Sequence, residues 1–138
     1  MQHLALKFSL LQLDDGDGLL RFKVEASNSI FSGATDFWVY ATSFSELATL
    51  LKGFPLSVAS KVIYNVSSEC SLSFYCINGL GHIVVWVSIK SQHEIPQTTK
   101  HQTTELCLKI EASAIDKFYI ELSGIASGAL TEATLYGS

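Results

Sequence analysis

The chain has 138 residues, a hydrophobic content of 48%, 16% charged residues and a formal net charge of −4. This length and apolar content suit one domain, residues 1–138, with a core of its own, and they exclude a disordered chain. The acidic balance is shared between the two halves and no basic run occurs, so the electrostatic footprint of a nucleic-acid binder is missing.

In chain order, Leu4, Leu6, Phe8 and Leu10 alternate with Ala5, Lys7 and Ser9. This predicts a first strand, with a bulge shifting the phase toward Leu11 and Leu13. Lys7 interrupts the apolar stretch and no small-residue cleavage site follows it. A signal peptide is therefore not expected, and a cytoplasmic location is. The run Asp14-Asp15-Gly16-Asp17-Gly18 invites a calcium reading. The EF-hand loop, however, needs ligands at its first, third and fifth positions, and two glycines fall there when the count starts at Asp14. A polar turn is the better reading.

Leu19 to Pro55 is the stretch in which local signals agree best. Leu20, Phe22, Val24 and Ala26 share one face of a strand, and Arg21, Lys23 and Glu25 share the other. Three charges in five residues favour an antiparallel sheet with one face in water. Ser27-Asn28-Ser29 reads as the reversal, after which a strand resumes through Ile30 and Phe31 and runs to Ala41. Phe37 and Val39 share one side of it, Trp38 and Tyr40 the other. Ser43-Phe44-Ser45-Glu46 matches a capping box, which predicts a helix over about 44–53. Phe44, Leu47, Leu51 and Phe54 give its apolar stripe, and Gly53 and Pro55 its stop.

Val58 to Val66 predicts a strand with Val62, Tyr64 and Val66 on one face. Leu72, Phe74 and Cys76, then Ile83, Val85, Val87 and Ile89, predict a hairpin about Asn78-Gly79. This hairpin is apolar on nearly both faces and should sit centrally in a sheet or under a helix. Ile83 to Val87 is also the longest unbroken apolar run, far short of the roughly 20 residues of a membrane helix. Ser91 to Thr104 reads as a loop, and Leu106, Leu108 and Ile110 as a half-exposed strand. Ser113-Ala114-Ile115-Asp116 resembles a cap, and Ile115, Phe118, Leu122 and Ile125 predict a second helix over about 114–124. A strand through Phe118, Ile120 and Leu122 competes with it, and the tail, Leu130 to Gly137, could add a last strand. The expected fold is α+β, an antiparallel sheet or sandwich of about seven or eight strands with two helices.

The chemistry of an enzyme is sought and not found. The sequence holds no Gly-rich phosphate loop, no nucleophile elbow and no paired-cysteine motif. His93 and His101 lack further ligands at zinc spacing, and His82 has no evident partner, so neither a metal nor another cofactor is expected. Cys70, Cys76 and Cys107 read as buried reduced thiols. Asp36, Trp38 and Tyr40 remain as the candidate partner-binding residues, because exposed aromatic anchors characterise interfaces. The high apolar content and the apolar hairpin also suggest a homodimer through an edge strand.

The segments Leu20–Ala26, Phe31-Ser32-Gly33 and Asp36-Phe37-Trp38 form a pattern with Phe44, Leu47, Leu51, Phe54 and Pro55. The strand Glu105 to Ala112 and the helix after it extend that pattern. In these residues the chain resembles small bacterial proteins that include the WapI-type immunity proteins of contact-dependent toxin systems. The resemblance implies a non-catalytic cytoplasmic inhibitor that binds a cognate toxin, with no membrane or nucleic-acid partner, and transfers no functional residue. A small-ligand or carbohydrate-binding domain with Trp38 and Tyr40 as its platform is the alternative expectation.

Overall fold

The computed structural model describes residues 4–13, 16–92 and 95–138. Three strands open the chain, β1 (Ala5–Gln12), β2 (Leu19–Ser27) and β3 (Ser32–Tyr40), and lead directly into α1 (Ala41–Leu51). Four more follow, β4 (Lys61–Ser67), β5 (Cys70–Cys76), β6 (Ile83–Lys90) and β7 (Thr103–Ile110), then α2 (Ala112–Ser127) and β8 (Glu132–Tyr136). The strands form two four-stranded antiparallel sheets, ordered β3-β2-β1-β8 and β4-β5-β6-β7. Each sheet is a meander that runs into a helix, and β8 returns from the end of the chain to complete the first one. The α+β architecture is thus the expected one, with eight strands divided between two sheets.

Alternation decides which face is buried. Leu6, Phe8, Phe22, Val24, Phe37, Ala133 and Leu135 face inward from the first sheet. Leu72, Phe74, Val85, Val87, Leu106 and Leu108 do so from the second. Phe44, Leu47 and Leu51 of α1 and Ile115, Phe118 and Leu122 of α2 close a single core between them. Phe8 sits at its centre, with ring centroids 6.4 Å from Phe37, 5.4 Å from Phe44 and 6.4 Å from Phe118. The bulge expected in β1 occurs as a register shift between Leu10 and Gln12. The helical reading of 114–124 holds over its strand competitor, and α2 ends at Gly128, whose φ of 82° is left-handed.

Neither cap-like motif caps. Each strand passes into its helix without a linker, so Tyr40 and Glu111 occupy the N-cap positions and make no side-chain cap bond. Ser43 therefore falls inside the first turn, and its hydroxyl donates to the Val66 carbonyl at 2.6 Å. Ile30 and Phe31 lie in the β2–β3 turn, not in a strand, because the Asn28 side chain accepts from both of their N–H groups. The Asn78-Gly79 reversal is also longer than a two-residue hairpin. Ile77 N–H donates to the His82 carbonyl, and Asn78 Oδ1 organises the four residues between. The acidic turn before β2 includes Asp14 and Asp15, which lie outside the described residues.

Two of the edge strands, β7 and β8, have backbone groups engaged from outside their sheets. Asn28 Nδ2 donates to the Cys107 carbonyl at 2.9 Å and Ser138 N–H to that of Lys109 at 2.8 Å, both on β7. Glu121 of α2 accepts from Thr134 N–H on β8 at 2.9 Å. Gly33, at the start of β3, abuts the second sheet so closely that a Cβ would lie 2.9 Å from Thr104. Among the described residues no helix is long and apolar enough to cross a membrane.

Candidate functional site

The outer face of the first sheet is polar and ordered in rows. Register sets Lys7 between Thr134 and Glu25, Ser9 between Glu132 and Lys23, and Asp36 beyond Lys23. Ion pairs lace it: Arg21 to Asp36 at 2.7 Å, Lys7 to Glu132 at 3.3 Å and Lys23 to Glu25 at 3.6 Å. All three are partly solvated, so each contributes little stability and mainly fixes side-chain positions. Ala5, Ser27, Ser32, Ala34 and Thr134 leave an open trough of about 710 Å³ at one end, with Tyr136 on its rim.

The aromatic corner lies at the opposite end, where β3 becomes α1. Trp38 is 43% exposed and Tyr40 52%, while Phe37 and Val39, which alternate with them, are buried. Register places Arg21 beside Trp38 and Leu19 beside Tyr40. The turn from strand to helix opens a cleft of about 370 Å³ next to the rings, bounded across by β4 and the β4–β5 turn. Its walls include Trp38, Tyr40, Ser43, Glu46, Tyr64 and Glu69.

Hydrogen bonds set the geometry of these walls. Tyr64 OH donates to Glu46 Oε2 at 2.8 Å and lies 3.2 Å from Ser43 Oγ. Burial raises the Tyr64 phenol above its ordinary value; Ser43 opposes the shift and the Glu46 carboxylate reinforces it. The ring is therefore a neutral donor to a charged acceptor at neutral pH. Glu69 is oriented from the other side by a hydrogen bond from Ser68 Oγ.

Of the three residues singled out in the sequence, Trp38 and Tyr40 come together at the cleft. Asp36 is on the same face but is held by Arg21 and lines a separate hollow with Lys23, Ser91 and Gln102. Glu46, Tyr64 and Glu69 carried no recognisable signal. Glu46 reads as a capping residue and Tyr64 as one more position on the apolar face of its strand. A tyrosine among valines does need a partner for its hydroxyl, and that was the one clue available.

Elsewhere the chemistry is spare. His82 does have partners: its Nδ1 lies 2.8 Å from Asn78 Nδ2 and its Nε2 3.7 Å from Glu111. His101 Nδ1 is 2.8 Å from the Ser91 carbonyl, while His93 lies outside the described residues. Among the described residues no group of three or more His, Cys, Asp or Glu side chains could hold a metal ion. Cys70 and Cys76 are buried as expected, but Cys107 is only half-buried because it faces outward from β7. The second sheet also leaves its outer face without a helix. Trp86, on central strand β6, is 45% exposed between Ser73 and Cys107, with Ile63 in the same row.

No protein-family model matches the chain, and no curated protein matches it. Its fold is weakly similar to that of a chain in crystal structures of Trypanosoma bruciei MRP1/MRP2. The identity is 12% over 86% of this chain and 74% of that one, with a TM-score of 0.43.

Proposed function

We propose that the protein is a non-catalytic protein-binding module that acts in the cytoplasm, an immunity-type inhibitor of a bacterial toxin. The outer face of the first sheet meets the toxin. One observation carries the choice of surface: Trp38 and Tyr40 are about half exposed, side by side, on a sheet face that no helix covers. Large aromatic rings beside a depression are the usual anchors of an interface, and the ion pairs around them suit a polar rim. The resemblance in Leu20–Ala26, Asp36-Phe37-Trp38 and the α1 stripe supports the choice of partner class.

The test is co-expression with the product of the reading frame next to the gene, followed by calorimetry. A complex is expected, with growth rescued from that product's toxicity, and Trp38→Ala should weaken association at least about tenfold. No complex, or a complex indifferent to Trp38→Ala, overturns the reading. Self-association through an edge strand belongs to the same proposal; Ser43, Asn28, Ser138 and Glu121 engage only individual backbone groups, on β4, β7 and β8.

A further inference from the structure

The cleft at the β3–α1 corner has a composition that selects its occupant. Three aromatic side chains, Trp38, Tyr40 and Tyr64, and two carboxylates, Glu46 and Glu69, line it, and among the described residues none that lines it is Lys, Arg or His. We propose that this cleft receives an arginine side chain presented by the protein partner. The inference rests on the protein-binding reading and adds the chemistry of the contact.

Three arguments favour a guanidinium over other guests. Aromatic faces attract cations through the ring quadrupole, and a planar guanidinium also stacks on them, which a compact ammonium does less well. The two carboxylates come from different walls, Glu46 from α1 and Glu69 from the β4–β5 turn, so a forked donor can address both. An anion is disfavoured on magnitude. The N-terminus of α1 points a partial charge of about +0.5 toward this corner, but two full carboxylates outweigh it. A purely apolar side chain would bury those carboxylates without a counter-charge, which costs more than the rings return.

The carboxylates are also prepared. Tyr64 OH holds Glu46 at 2.8 Å through one oxygen, and Ser68 holds Glu69, so the free oxygens keep fixed directions. The volume of about 370 Å³ admits one long side chain and its neighbours. Nearby, Arg21 does not line the cleft; its guanidinium is engaged with Asp36 at 2.7 Å.

The test uses the whole protein and a small probe, Nα-acetyl-arginine amide, with the neutral citrulline analogue as its isosteric control. Indole N–H resonances are followed by NMR and assigned with Trp86→Phe. The arginine probe should shift the Trp38 resonance saturably, and the citrulline analogue should bind about fivefold or more weakly. The double variant Glu46→Gln/Glu69→Gln keeps acceptors for Tyr64 and Ser68 and should weaken the probe about tenfold with an unchanged melting temperature. Equal binding of the citrulline analogue, a double variant that binds as wild type, no saturable shift, or a shift at Trp86 alone overturns the proposal. A partner complex that needs Trp38 but ignores the double variant removes this inference and leaves the protein-binding reading. Probe binding without any protein partner leaves the cleft's affinity for a guanidinium and removes the partner proposed to present it.

Discussion

The outer faces of the two sheets are built on the same four-strand plan, and they differ in chemistry and in depth. On the first, cations and carboxylates join in three ion pairs, two across strands and one along β2, with aromatic rings at one corner. On the second, Trp86 and Ile63 share a row with Ser73 and Cys107, so that an indole and an aliphatic side chain lie among small residues. Trp38 and Trp86 are almost equally exposed, so exposure does not separate them. Position does. Trp38 is on an edge strand three residues before a helix, where the chain turns and leaves a hollow. Trp86 is on a central strand, flanked by β5 and β7.

The largest expected effect tests whether the outer faces are surfaces at all. Phe8→Ala removes the ring at the meeting point of sheet and helices and should cost about 3–5 kcal/mol in denaturant unfolding. Trp38→Ala should cost less than about 1 kcal/mol in the same measurement, since its ring is about half in water already. A cost near that of Phe8→Ala would make Trp38 a core residue and remove the contrast.

Next in size is the seam that holds the sheets together. A methyl at Gly33 would press on the stiff, β-branched Thr104 at 2.9 Å. Gly33→Ala should lower stability by about 1–3 kcal/mol, and a second change, Thr104→Gly, should return part of the loss. A neutral Gly33→Ala would show that the sheets slide apart freely.

The cysteines sharpen the inner and outer faces of one sheet. Burial, with Glu69 beside it, pushes the inward Cys70 thiol up to about 12 from an ordinary 9.0. Between those values the unfolded chain gives up this proton and the native state keeps it. Stability therefore falls as pH rises above 9, by about 1.4 kcal/mol per pH unit for one such group. Tyr64 and Cys107 are shifted in the same direction, so the readout is the difference between wild type and Cys70→Ala, whose curve should be flatter. The outward Cys107 should be alkylated in the native state, and Cys70 only on unfolding.

Much of this architecture could be read from the chain, for a physical reason. Alternation in Leu20–Ala26 and Leu106–Ile110 is a local consequence of one wet and one dry face, and so it survives in the sequence. The sheet partners are not local. β8 reaches the first sheet from the far end of the chain, and two similar meanders arise from segments with no sequence repeat. The cap motifs misled because capping needs a linker before the helix, and here strand runs into helix, which frees Ser43 and Glu46 to bond with β4. The site divides along the same line. Trp38 and Tyr40 are two apart on one strand and were legible, whereas Tyr64 and Glu69 reach the cleft only through tertiary packing.

The smallest effect concerns Asp36. Its carboxylate is engaged by Arg21 in a partly exposed pair, so Asp36→Asn should change stability by under about 1 kcal/mol and lose even that effect in high salt. Because the pair is mutual, the variant also frees a cation beside Trp38, and association with an arginine-bearing partner should slow. An unchanged association rate would show that this edge of the face is outside the contact.

The most direct measurement is a footprint of the bound partner on the two tryptophans, read from their indole N–H resonances. The account predicts that the product of the adjacent reading frame shifts and protects Trp38, together with Tyr40 and the Lys7–Glu25 rows, and leaves Trp86 where it was. A complex that moves Trp86 and Ile63 and leaves Trp38 unchanged would contradict it.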